Sequence, residues 1–221
     1  MVERIIVGPL HTNAYIYSIA KKECIVIDPG ADFHLLQKKL ETINLRPQAI
    51  LLTHGYIDHI SASVQLVQAY NEIVENIPVI IHEDDAHLLG ESGRKIQQKL
   101  LAESGNHELL EKLDTDFPQA DIVCRDGDTI LDTGLKVLHT PGRSRGSMCL
   151  YEEEQKILFT GDTLLFKGIG NTNLPEADKE QLLESVRNRI FSLPPETVIF
   201  PGHGPRTTVE REKNNNPEFR V

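Results

Sequence analysis

Thr53-His54-Gly55-Tyr56-Ile57-Asp58-His59 follows directly on the apolar run at residues 49–52. A short aliphatic run of this kind reads as a buried strand, and the carboxyl ends of strands in α/β sheets are where ligands and reacting groups collect. Two imidazoles and a carboxylate in one such loop are the N and O donors that zinc, iron and manganese accept. His54-x-x-x-Asp58-His59 alone also admits a plainer role, with Asp58 capping the helix that follows. Two distant stretches strengthen the metal reading. Gly161-Asp162 comes after an apolar run at 157–159, and Pro201-Gly202-His203-Gly204 comes after another at 197–200.

The remaining pattern supports a mixed α/β chain. Residues 5–7, 14–19 and 24–27 are β-branched runs that predict strands, and Pro29-Gly30 ends the third. Residues 34–43 predict an amphipathic helix, 59–74 a helix after the histidine loop, 79–81 a strand and 97–113 a further helix. A second strand-rich half is expected, with strands at 129–131, 136–139, 148–151 and 157–159, a helix at 180–190 and a last strand at 197–200. Two packed β layers covered by helices suit this order, and the length favours one domain over residues 1–221.

Composition narrows the function. The 221 residues carry 33 acidic and 23 basic side chains, a formal net charge of -10, and an isoelectric point near 5.4. Such a field repels nucleic acid, so no nucleic-acid partner is expected. No run approaches the ~20 apolar residues of a membrane span, and the N-terminus lacks a leader pattern. A cytoplasmic protein with no membrane partner is the expectation, with homo-oligomerisation left open. Cys24, Cys124 and Cys149 are widely spaced in or near apolar runs, which predicts reduced, buried thiols.

The motifs together resemble one family. Val26-Ile27-Asp28-Pro29-Gly30, the Thr53–His59 loop, Thr140-Pro141-Gly142-Arg143-Ser144, Phe159-Thr160-Gly161-Asp162-Thr163 and Phe200-Pro201-Gly202-His203-Gly204 occur in an order similar to the glyoxalase-II-like branch of the metallo-beta-lactamase superfamily. The resemblance covers nearly the whole chain. It implies a four-layer αββα fold with the metal-binding loops at one edge of a two-sheet core, and the absence of the long C-terminal helical region that helps bind glutathione.

The chain departs from that family at informative positions. The usual Thr-His-x-His-x-Asp-His motif has Tyr56 at its second histidine, and the usual Thr-Pro-Gly-His-Thr motif has Arg143 in place of histidine. A guanidinium has donors and no acceptor, so it cannot stand in for a neutral imidazole. By the resemblance, the first metal site keeps His54 alone of its histidines, while the second keeps Asp58, His59 and His203, with Asp162 shared. One zinc ion at the second site is therefore expected rather than two, with iron or manganese as alternatives. Arg143 would balance Asp162 electrostatically in the vacated place. A third departure is Gly170-Asn171-Thr172-Asn173-Leu174-Pro175, where relatives carry Gly-Arg-x-Asp-Leu-Pro; Asn171 and Asn173 either reshape a substrate mouth or bond within the loop.

These features point to a metal-dependent hydrolase acting on a small ester, thioester or lactone through water activated at the metal. Asp58 and Asp162 would handle protons, and Tyr56 or Arg143 would donate to the substrate. A different class is a catalytically inactive member that binds a metal or small ligand. A third starts from Gly142-Arg143-Ser144-Arg145-Gly146, which matches Gly-x-Ser-x-Gly with Ser144, Asp162 and His203 in triad order, but the strands expected after Ser144 are not the helix that motif needs. The remaining histidines, His11, His34, His82, His87, His107 and His139, are expected to be structural, with His139 the one that a rearrangement would make a substitute ligand.

Overall fold

The computed structural model describes residues 1–71, 73–74, 76–103, 109 and 116–220. Their contacts divide the chain into two compact units, Met1–Ile81 with Ala86–Val123, and His82–Asp85 with Cys124–Val221. The mixed α/β class is as expected, with one mixed sheet in each unit.

The first sheet contains β1 (Val2–Val7), β2 (Thr12–Ala20), β3 (Glu23–Ile27), β4 (Arg46–Leu51), β5 (Val79–His82) and β6 (Ile122–Cys124), in that spatial order. β1, β2 and β3 pair antiparallel; β3, β4 and β5 pair parallel. The parallel strands read as continuous apolar runs because they are covered on both faces: Ile25, Val26, Ile27, Ile50 and Leu51 are all fully buried. Helix α1 (Phe33–Ile43) adds Leu36 and Leu40, four residues apart on one face, and ends at Asn44 in the left-handed conformation.

The histidine loop leads into α2 (Ile57–Ile60) and then α3 (Ser63–Tyr70). The single helix expected over 59–74 is broken at Ser61-Ala62. Ser61 Oγ donates to the Ile57 carbonyl at 2.5 Å, and Ala62 N–H donates to Pro29 O at 2.8 Å instead of to its own helix. Helix α4 (Gly90–Glu103) starts before the expected residue 97. The expected continuation from 104 to 113, apart from residue 109, lies outside the described residues, as does His107.

The second sheet runs β11 (Thr207–Thr208), β10 (Val198–Pro201), β9 (Ile157–Gly161), β8 (Met148–Glu152), β7 (Leu135–His139). Only β9 and β10 pair parallel. Helix α5 (Lys179–Ser185) is capped by the Asp178 side chain, which accepts from Gln181 N–H, and runs into a π-helical turn at Val186–Ile190. With α6 (Val209–Asn215), that turn contributes Val186, Ile190 and Val209 to a core with Leu158 and Ile199. The strand expected at 129–131 is a turn: Leu131 has φ of 45°, and Thr129 makes a single bridge to Lys136. Among the described residues no helix is long and apolar enough to cross a membrane.

Gly30 ties fold to site. A Cβ there would lie 1.7 Å from the Asp58 carbonyl oxygen, so a side chain would push the backbone of the histidine loop away. Gly30→Ala is expected to destabilise by at least about 2 kcal/mol, read as a lowered midpoint in urea. Gly168→Ala, where nothing lies within 4 Å, should stay within about 0.5 kcal/mol of wild type.

The three thiols are buried and unbridged, as expected. Burial pushes Cys24 and Cys124 up to about 12 and Cys149 up to about 11, which suppresses the reactive thiolate. Iodoacetamide at pH 8 is expected to leave all three unmodified in the native protein and to alkylate all three after denaturation, checked by intact mass.

Candidate metal centre

In the first unit the centre is built around Asp28, at the carboxyl end of β3. Asp28 turns into the left-handed region, φ 50°, while its N–H donates to Leu51 O at 3.1 Å. The turn sets its carboxylate beside the end of β4. Oδ1 accepts from Thr53 N–H at 2.8 Å, and Oδ2 accepts from Thr53 Oγ1 at 2.7 Å. Oδ2 also lies 2.9 Å from His59 Nδ1. An acceptor-only carboxylate places the proton on Nδ1, so the ring's lone pair is on Nε2.

His59 Nε2 lies 3.6 Å from Asp58 Oδ2. That is long for a hydrogen bond, but two ligands about 2.0–2.1 Å from a tetrahedral ion are about 3.3–3.4 Å apart. Thr12 Oγ1 lies 3.5 Å from the same Asp58 oxygen. The capping role is not formed: Asp58 sits in the first turn of α2, and the N-cap, Tyr56, makes no side-chain capping bond.

His54 belongs to the same relay. Thr53 Oγ1 gives its proton to Asp28 and accepts from His54 Nδ1 at 3.0 Å, which again puts the ring's lone pair on Nε2, a buried atom. The His54 and His59 rings are 4.2 Å apart between centroids, and the Tyr56 ring meets His54 edge-on at 5.3 Å. Tyr56 is 4% exposed. Donor atoms of Asp28, His54 and His59 lie within 4.8 Å of one another, and Asp28, which already accepts three hydrogen bonds, orients the two imidazoles. Gln97 of α4 braces the loop, donating to Gly55 O at 2.6 Å and to Leu88 O at 3.0 Å.

In the second unit, Asp162 follows β9 and Arg143 approaches it directly. Arg143 Nε donates to Asp162 Oδ2 at 3.1 Å, with the side chains 7% and 5% exposed. Breaking a buried pair of this kind costs about 3–5 kcal/mol, because the remaining charge is stranded. His203 Nε2 lies 3.5 Å from the other oxygen, Asp162 Oδ1, again close to a tetrahedral edge. Gly170 permits the arrangement: its N–H donates to Asp162 O at 2.8 Å, and a Cβ would lie 2.3 Å from that oxygen and 2.9 Å from Arg143 Cδ.

The turn carrying Arg143 is anchored at both ends. Ser185 Oγ donates to Pro141 O at 2.7 Å, and Asp178 N–H donates to Gly142 O at 2.8 Å. Asp85 accepts from Ser144 Oγ at 2.7 Å and from Gly146 N–H at 2.6 Å. Ser144 is therefore an anchor. It is fully buried, and the chain after it enters β8 rather than a helix, so the nucleophile-elbow geometry is not formed. Asn171 Oδ1 accepts from Asn173 N–H at 2.9 Å, the within-loop alternative for that pair. His139 is a strand-end residue whose Nε2 lies 2.8 Å from Arg145 O.

Each unit thus presents a histidine nitrogen within 3.6 Å of a carboxylate oxygen, His59 with Asp58 in the first and His203 with Asp162 in the second. Asp28 and Thr53 stand in motifs visible in the sequence but with no role legible there, and Thr12 and Asp85 stand in none. Asp28 had a signal: a lone acid closing the apolar strand Cys24-Ile25-Val26-Ile27 just before Pro-Gly. Asp85 had none, since its partners lie some 60 residues away.

Comparisons with known proteins give the family. A probable metallo-hydrolase, YqgX of Bacillus subtilis, is 34% identical over 217 residues, 97% of this chain and 95% of the relative. The hydroxyacylglutathione hydrolase GloC of Haemophilus influenzae is 31% identical over 222 residues, 98% and 96% of the two chains. Among solved structures, the B3 metallo-beta-lactamase BLEG-1 matches with a TM-score of 0.87 and 34% identity, covering all of both chains. TTHA1623 in a di-iron-bound form matches with a TM-score of 0.77 and 33% identity over 97% and 98%. Two mixed sheets flanked by helices are the αββα fold of these proteins. The profile of the metallo-beta-lactamase superfamily matches residues 7–203, and the chain belongs to that superfamily.

Proposed function

We propose that this protein is a metal-dependent hydrolase of small esters, thioesters or lactones, with one metal ion held by Asp58, His59, Asp162 and His203. The observation that carries the reading is the His59–Asp58 pair, oriented by Asp28 with its Nε2 on the ligand side. Similarity to a hydroxyacylglutathione hydrolase supports a thioester as the first substrate to try. A relative in a di-iron-bound form supports testing iron beside zinc.

An ion held there supplies Lewis acidity toward a carbonyl oxygen and acidifies water. The protein supplies the rest. Asp28 and Thr53 fix the imidazole tautomers, and Asp58 accepts or relays a proton. Arg143 holds Asp162 by its Nε and brings the positive charge that a second ion would otherwise provide. Tyr56 stands edge-on to His54, where it fills the place of a further imidazole and can donate its hydroxyl to substrate. The Arg143–Asp162 pair also favours a second reading, a member that binds metal or ligand without turnover. A screen of thioesters, esters and lactones with metal-loaded protein separates the two.

His203→Ala is expected to lower bound metal from about one equivalent to well below half and to abolish hydrolysis with it, measured by elemental analysis on protein purified without chelator. Asp162→Ala should do the same and also lower stability, since it strips the carboxylate from Arg143. Ser144→Ala should keep metal and activity while costing about 1–3 kcal/mol, because it removes a buried donor from Asp85. Retained metal in both ligand variants would overturn the assignment.

Restoring the two absent histidines tests the one-metal part. Tyr56→His with Arg143→His is expected to raise stoichiometry from about one to about two equivalents, since imidazole lone pairs replace a phenol and a cation. An unchanged stoichiometry in the folded double variant would reject Tyr56 and Arg143 as the residues that exclude the second ion.

A further inference from the structure

Two imidazoles outside the candidate metal centre stand together in the second unit, where β5 and β7 end. The His82 and His139 rings are stacked, centroids 4.0 Å apart and planes 11° apart. Each ring has one nitrogen committed to the backbone: His139 Nε2 donates to Arg145 O at 2.8 Å, and His82 Nδ1 accepts from Asp84 N–H at 3.2 Å. A neutral imidazole carries one proton and one lone pair. The proton of His82 is therefore on Nε2, and the lone pair of His139 is on Nδ1.

A further proton costs the two rings differently. On His139 it goes to Nδ1 and leaves the bond to Arg145 in place. On His82 it goes to Nδ1, where it breaks the bond from Asp84 N–H and sets one N–H against another. His82 is 3% exposed, so that charge is also buried. The carboxylates around the pair are Glu83, Asp84 and Asp126, and guanidiniums answer two of them, Arg125 on Glu83 and Arg189 on Asp126. Asp84 Oδ2 lies 3.8 Å from His82 Nδ1 and 4.0 Å from His139 Nε2, on a side chain 53% exposed. One screened negative charge balances one imidazolium, and two imidazoliums stacked face to face repel.

The same short segment fastens the turn that carries Arg143. Asp85 accepts from Ser144 Oγ and Gly146 N–H, and His139 holds the Arg145 carbonyl between them. Three successive residues of the turn thus hang on the stack and on the segment that leads from it.

We propose that the His82–His139 stack is an acid-sensitive latch on the Arg143 turn, closed while at most one ring is charged and opened when both are. Burial, and next the His139 ring, hold His82 below the usual histidine range against the smaller opposing pull of Asp84, Glu83 and Asp126. The opened chain takes up a proton near the ordinary histidine value of about 6.5 that the closed chain refuses. The latch is accordingly at full strength above about pH 6.5 and weakens as pH falls from there toward the folded-state value of His82. Opening parts the rings, shifts residues 82–85 and releases the loop that places Arg143 on Asp162.

The test is amide hydrogen exchange by NMR, reading the protection factor of Gly146 N–H, which normalises for the intrinsic effect of pH. Wild type is expected to lose at least about tenfold in that factor between about pH 7.5 and about pH 5, while Val198 N–H, bonded to Lys156 O at 2.8 Å, keeps its own. His82→Gln and His139→Gln, which cannot form two adjacent cations, are each expected to hold Gly146 protection to within about threefold over that range. His139 is 25% exposed, so His139→Gln carries the test where His82→Gln folds poorly. His203→Ala is expected to show the wild-type loss, which separates the latch from any release of metal. The proposal is overturned by constant protection in wild type, by an equal loss in the two glutamine variants, by a loss shared with Val198, or by a loss absent from His203→Ala.

Discussion

The hydrogen bond between the Asp28 carboxylate and His59 Nδ1, 2.9 Å long and fully buried, is the constraint on which the first unit's chemistry depends. One acid, held in a left-handed turn at the end of β3, receives the Thr53 backbone, the Thr53 hydroxyl and the His59 ring. A buried carboxylate is tolerable only when its oxygens are so occupied, and satisfying it fixes which nitrogen of each imidazole carries the proton. The parallel pairing of β3 with β4 brings Asp28 and the histidine loop side by side. Gly30, lacking a Cβ, lets the chain after Asp28 pass against the Asp58 backbone.

The second unit solves a different electrostatic problem. Asp162 is buried, and a buried carboxylate needs a counter-charge. Arg143 supplies one through Nε, and the turn that carries Arg143 is fastened by Asp85, Asp178 and Ser185. Cation, carboxylate and anchored turn form one arrangement, in which Ser144 is a structural hydroxyl. The same type of residue pattern, Gly-x-Ser-x-Gly, therefore carries opposite meanings depending on whether a helix or a strand follows it.

Much of this was legible in the chain itself. Apolar runs with β-branched residues located nearly every strand of both sheets, because burial on both faces demands continuous apolar sequence. Leu36 and Leu40 announced α1 by their spacing. Periodicity misled at two places, one overridden by a longer-range bond and the other by a local turn. Residues 59–74 have helical spacing throughout, yet the Ala62 N–H goes to Pro29, more than 30 residues earlier. Residues 129–131 have strand composition, yet the chain reverses there, with Leu131 and Gly134 at positive φ.

The sequence by itself determined the α/β class and set the imidazoles and carboxylates of His54, Asp58, His59, Asp162 and His203 in segments that follow strands, with Tyr56 and Arg143 between or near them. Those are properties of residue type and of spacing along the chain. Tertiary structure alone decided that Asp28 orients His59, that Arg143 pairs with Asp162, that Asp85 fastens the Arg143 turn, and that His82 stacks on His139. The physical reason is distance along the chain: 31, 19, about 60 and 57 residues separate these partners, and no local pattern encodes a hydrogen bond, ion pair or ring contact that strand pairing and turns must first bring together.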